Sequence, residues 1–121
     1  MKKIIGLALL LTSTSALAGF VHPLDFDNSE AQKQEVISYI KDRVKADYCD
    51  GKLDMCQPTT LRRMENKNLE SFKKLTKAED RKILDRVIKD YCKRGLDMCT
   101  YSTIALMYEK NAKADKEELS W

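Results

Sequence analysis

Four cysteines are the only side chains in this 121-residue sequence whose type and spacing suggest distinctive chemistry. They form two C-x6-C pairs, Cys49/Cys56 and Cys92/Cys99. Three uses compete. Two local disulfides would each close a loop of eight residues, which contributes about 2.5 kcal/mol in the loop-entropy description. Cross-pairing between the two pairs is equally compatible with the spacing; local pairing is the expectation because the shortest loops close most easily. A four-cysteine zinc site normally spaces its pairs by two to four residues rather than six, and the C-x-x-C of a dithiol redox centre does not occur. The spacing therefore predicts structural disulfides, with no metal ligand and no cofactor site.

Between the cysteines lie Leu53, Asp54 and Met55 in one pair and Leu96, Asp97 and Met98 in the other. These six residues are the candidate interaction loops. The alternative is local: Leu and Met cover the disulfide while Asp bonds backbone groups of the turn, as short acidic side chains commonly do, and that reading has the stronger sequence argument. Catalytic sets are not evident. His22 is the one histidine, and no Ser–His–Asp set, H-E-x-x-H, P-loop or Rossmann glycine run occurs. Hydrolysis by two carboxylates needs only a pair of acids, and Asp47, Asp90, Asp54 and Asp97 are the acids to inspect for it. They are expected to be exposed or to cap turns.

These residues sit inside a duplication. With a shift of 43, Ile40–Asn68 aligns without a gap on Ile83–Asn111, and 15 of 29 positions are identical; chance at ordinary residue frequencies gives about two. Asp47-Tyr48-Cys49 falls on Asp90-Tyr91-Cys92, and Leu53-Asp54-Met55-Cys56 on Leu96-Asp97-Met98-Cys99. Each copy reads as helix, cysteine loop, helix. Val36, Ile37, Ile40, Val44 and Tyr48 follow the helical period, as do Ile83, Leu84, Val87, Ile88 and Tyr91. The second helices carry Leu61, Met64, Leu69, Phe72 and Leu75, then Ile104, Met107, Tyr108 and Ala112. Start signals are capping boxes at Ser29-x-x-Gln32 and Thr76-x-x-Glu79, Pro58 in a first turn, and Thr100 as a cap. Gly51 and Gly95 are the stops of the two first helices. The expected fold is all-α: a four-helix antiparallel bundle from two duplicated hairpins, with pseudo-two-fold symmetry between them.

The ends follow a different logic. Lys2 and Lys3, the apolar run Ile4–Leu11 and the small-x-small site Ala16-Leu17-Ala18 match a secretory signal peptide of bacterial type, cut after residue 18. The remaining 103 residues make one domain, with 19–28 as an extended segment, either packed on the bundle or mobile, and 29–121 as the helical domain (repeats at about 29–75 and 76–118). Losing Lys2 and Lys3 lowers the net charge from +3 to +1, which does not suggest nucleic-acid binding. No other apolar run could span a membrane. The stretch Arg62–Arg94 carries 12 basic and 6 acidic residues; the interleaving favours internal balance over a basic docking face.

The C-x6-C loop between two helices resembles the first cysteine pair of insect chemosensory proteins, small helical carriers of apolar ligands. That family's second pair is C-x2-C, where this chain repeats C-x6-C, so the resemblance is one of construction and implies no function. Tyr48, Tyr91, Tyr101, Tyr108, Met64 and Met107 are candidate pocket walls, but at helical spacing such residues more often form plain core. The expectation is a periplasmic or secreted, non-enzymatic protein that binds another macromolecule, as an inhibitor, immunity-type or accessory factor. A carrier of a small apolar ligand and a carboxylate-dependent envelope hydrolase are the alternatives.

Overall fold

The computed structural model describes residues 19–51, 54–93 and 98–121. Residues 1–18, which carry the expected signal peptide, lie outside them, as do Leu53, Gly95, Leu96 and Asp97. All regular structure among the described residues is helical: a 3-10 turn at Pro23–Asp25, then α1 (Glu30–Tyr48), α2 (Pro58–Leu75), α3 (Arg81–Cys92) and α4 (Tyr101–Asp115).

Local chemistry sets most of the boundaries. The Ser29 hydroxyl accepts from the Gln32 N–H at 3.1 Å and starts α1. The expected capping box is only half made, however. Gln32 Oε1 accepts from the Asp27 N–H, because Asp27 Oδ1 has already taken the Ser29 N–H. Asn28 makes that tight corner at φ 65°, a left-handed conformation that asparagine tolerates better than most residues. Pro58 occupies the first turn of α2 and Thr100 caps α4 by accepting from the Thr103 N–H. The Thr76-x-x-Glu79 box is not the start of α3. Helix α2 runs to Leu75, and Thr76 closes it by donating its hydroxyl to the Lys73 carbonyl. Asp80 caps α3 instead, accepting from the Ile83 N–H at 3.1 Å. The Glu79 and Asp80 amides are held by the hydroxyl of Tyr108 on α4.

Helix α1 packs on α2, α3 on α4, and α2 on α4. The core is Val36, Ile40 and Val44 of α1, Phe72 and Leu75 of α2, Leu84, Val87 and Ile88 of α3, and Ile104 and Ala105 of α4. The α2–α4 seam is parallel: Asn68 meets Ser102, and further along both helices Lys74 meets Glu109. It is also asymmetric, which corrects the expected two-fold relation. The Asn68 carboxamide donates to the Met64 carbonyl and accepts from the Ser102 N–H, so it serves an otherwise orphaned amide in the first turn of α4. Asn111, at the equivalent repeat position, makes the corresponding bond to the Met107 carbonyl but is exposed. The middle of α2 receives the beginning of α4, and the two helices are therefore displaced along their axes.

Residues 19–28 form a strap rather than an arm. Pro23 pre-sets the backbone of the 3-10 turn, and His22 Nδ1 caps it by accepting from the Leu24 N–H. With Nδ1 as acceptor, Nε2 carries the proton and donates to Asp85 Oδ1 at 2.6 Å. Val21 exchanges two hydrogen bonds with the Tyr101 hydroxyl. Phe26 meets Phe72 edge-on, and Phe20 stacks on Tyr101.

The strap's ionic contact is pH-sensitive. Hydrogen bonding from the Arg81 guanidinium holds the Asp25 carboxyl below the usual carboxylate range. A lowered folded-state pKa adds stability above the unfolded value and loses it as pH falls through the folded one. The protection of the Val21 and Leu24 amides, measured against the intrinsic exchange rate at each pH, is therefore expected to fall below about pH 4. That fall should be absent in Asp25→Asn, which lacks the titrating carboxylate.

Candidate functional site

The local pairing is the observed one. Cys49–Cys56 joins the end of α1 to the residue before the α2 cap, and Cys92–Cys99 does the same between α3 and α4; the Cα–Cα distance is 4.6 Å in both. All four sulfurs are thereby committed, which removes the zinc alternative. Two disulfides fit an oxidising compartment, and no helix among the described residues is long and apolar enough to cross a membrane.

The two loops sit in different surroundings. Cys99 is buried, and Tyr39 of α1 donates its hydroxyl to the Cys99 carbonyl at 2.6 Å. The next residue but one, Tyr101, has no exposed surface. Its ring lies between Phe20, Tyr39 and Phe72, with centroids 4.8–5.6 Å away. The second cysteine loop is thus anchored against α1, α2 and the strap. In the first loop, Cys56 and the following Gln57, Pro58 and Thr59 are all exposed. A backbone bond from the Met55 N–H to the Tyr48 carbonyl closes that loop against the end of α1.

Of the six candidate loop residues, Asp54, Met55 and Met98 are among the described residues and all three are exposed. Met55 and Met98, at equivalent repeat positions, are 44% and 47% exposed. Both stand about half in solvent, and Leu53, Leu96 and Asp97, also named in the local reading, lie outside the described residues. A thioether half in water costs burial that a polar residue would not forgo, whereas flexible, polarizable Met is well suited to adaptable contact surfaces.

Two of the four acids named for hydrolysis are each paired with an arginine, and Asp97 lies outside the described residues. Asp47 lies 3.6 Å from Arg43 and Asp90 3.4 Å from Arg86, each one turn apart on its own helix. The aromatic and Met set proposed as pocket walls belongs to the core or its margin: Tyr101 is buried, and Tyr48, Met64, Tyr91, Met107 and Tyr108 pack against the buried cluster. The basic stretch is partly neutralised within the molecule, through Arg62–Glu65, Lys74–Glu109, Arg81–Asp25 and Arg86–Asp90.

An apolar concavity lies elsewhere among the described residues. A groove of about 610 Å³ runs between α1, α2 and the strap, floored by Phe26, Val36, Ile37, Leu69 and Phe72. Sequence reasoning named four of those residues as core positions and missed that they leave a trough. Its signal is visible in retrospect, because Ile37 and Leu69 lie at the edge of their helical stripes beside lysines. A second groove, about 830 Å³ along α3 and α4, is lined by charged and apolar residues in alternation.

Comparison with known proteins finds no family that matches this chain, no matching curated protein and no matching solved structure.

Proposed function

We propose that this chain is an exported, non-enzymatic binding protein, periplasmic or secreted, built from two copies of one disulfide-closed helical hairpin, and that it engages another macromolecule through its cysteine loops. The observation that carries this reading is the paired exposure of Met55 and Met98. The same residue stands half in solvent at the same place in both loops, each with a disulfide across its base. Such closure lowers the ordering cost of association, and an adaptable apolar anchor supplies contact energy. Division of labour between the copies supports it further. The second hairpin uses its loop and the start of α4 to dock on the first, so the unit is already a protein-docking element inside the chain. The first loop has no such burial of its second cysteine and leaves the start of α2 exposed.

Affinity capture with the disulfide-intact chain tests the reading. A partner retained across a salt series is expected to be lost, by at least tenfold in affinity, when Met55 and Met98 are both changed to Asp, since an ionised side chain cannot be buried at an apolar contact without a counter-charge. Retention unchanged by the double substitution would refute loop-mediated binding.

A further inference from the structure

We infer that the groove between α1, α2 and the strap binds a single-chain anionic amphiphile, a long-chain carboxylate, with its chain on the apolar floor and its head group among lysines. This goes beyond the loop-mediated binding above and does not depend on it.

The floor is apolar throughout: Phe26 from the strap, Val36 and Ile37 from α1, Leu69 and Phe72 from α2. Its volume, about 610 Å³, falls within the range of roughly 300–1,000 Å³ typical of small-molecule sites. The polar groups are not spread around this floor. Helices α1 and α2 are antiparallel, so the early residues of α1 face the late residues of α2. Lys33 on α1, Lys73 on α2 and Lys77 in the turn just after α2 therefore gather at one end, with Asn28 and Thr76 beside them. Glu30 takes part of the Lys33 charge at 3.3 Å; Lys73 and Lys77 are exposed at the rim. Toward the other end the trough narrows to Ile37 and Leu69. It continues past that pair as a smaller depression of about 180 Å³ bounded by Ile40, Lys41, Glu65 and Asn66.

The groove itself is thus cationic at one end and apolar along its floor, and the smaller depression beyond carries a lysine and a glutamate of opposite sign. A ligand with one anionic group at the end of an alkyl chain matches that arrangement. An acidic amphipathic helix matches it less well, because it carries charge along its whole length and needs a channel about 10 Å wide. A neutral apolar molecule brings no counter-charge to Lys73 and Lys77 at the mouth. The lysine stems can line the upper walls while their ammonium groups stay in water, which is how such side chains normally sit at an apolar edge.

The test is titration of the disulfide-intact chain with dodecanoate and with dodecyltrimethylammonium, which share an alkyl chain and differ in head-group sign. Dodecanoate is expected to bind saturably, one per chain, below its aggregation concentration, and at least tenfold more tightly than the cation. Lys73→Glu with Lys77→Glu is expected to weaken dodecanoate about tenfold or more. Lys110→Glu with Lys113→Glu, the same charge change on α4 outside the groove, should leave it within twofold. Circular dichroism checks that all variants keep their helices. Leu69→Asp, which puts a carboxylate on the floor, should abolish binding. Absence of saturable dodecanoate binding, equal affinity for the two head groups, or equal losses in the two lysine pairs would each overturn the assignment. So would an acidic amphipathic peptide that fills the groove while dodecanoate does not.

Discussion

Replacing Tyr101 by Ala is expected to destabilise the protein by about 3–5 kcal/mol, the range for deleting a fully buried aromatic side chain, measured by urea unfolding. Tyr101 lies in the first turn of α4, has no exposed surface, and touches the strap, α1 and α2. Its ring meets Phe20 of the strap, Tyr39 of α1 and Phe72 of α2. Its hydroxyl accepts from the Val21 N–H at 3.0 Å and donates to the Val21 carbonyl at 2.9 Å. Tyr101→Phe separates packing from hydrogen bonding. It keeps the ring and orphans both Val21 backbone groups, at a cost of about 1–3 kcal/mol. Burial also pushes the Tyr101 hydroxyl well above the usual phenol range. A raised folded-state pKa means that this contribution is fully present below the unfolded phenol value, about pH 10, and is lost as pH rises through the folded one. Alkaline titration followed by ultraviolet absorbance should therefore show a late phenol that ionises only as the helices melt. That phenol should be missing in Tyr101→Phe.

Removing the two disulfides should not cost the same. Each closes a loop of equal length, with a sequence separation of 7, so chain entropy assigns about 2.5 kcal/mol to both. The difference comes from what each bond holds in the folded state. Cys99 is buried and its carbonyl receives the Tyr39 hydroxyl; releasing it frees the segment that seats Tyr101. Cys56 is exposed, and releasing it frees only the end of a surface loop. The Cys92→Ala/Cys99→Ala chain should therefore be less stable than Cys49→Ala/Cys56→Ala by more than 1 kcal/mol, roughly the worth of one buried hydrogen bond. Equal midpoints in a denaturant titration would show that the second loop is not a structural anchor.

What could be read from the amino-acid order was local. Helix periodicity, Ser29, Pro58 and Thr100 located four helices because each signal acts within a turn or two of itself. Cysteine spacing indicated the disulfides for the same reason: short loops close first. The failures involve distant partners. Thr76-x-x-Glu79 satisfies the pattern of a capping box, yet the true cap is Asp80, supported by a hydroxyl 28 residues further along the chain. Tyr101 sits opposite Pro58 in the repeat alignment, and nothing nearby indicates that a strap 80 residues earlier will bury it. The two-fold expectation failed because identical copies need not meet identically: Asn68 receives α4, while its counterpart Asn111 stays in solvent. The lysine-ended groove was hidden for a related reason. Lys33, Lys73 and Lys77 are interleaved with other charges in the sequence, and only the antiparallel register gathers them. Of the candidate loops, the methionines were legible as a repeated position, but whether they faced solvent depended on packing.

The most direct measurement is site-specific photo-crosslinking in the cells that make the protein, with a benzoylphenylalanine placed at Met55, at Met98 or, as a control, at the exposed Glu117 beyond α4. Loop-mediated binding predicts a discrete heavier adduct from positions 55 and 98 and none from 117, with the adducts disappearing when both disulfides are removed. Adducts of equal yield from all three positions, or none from either loop in a chain shown to be folded and exported, would contradict it.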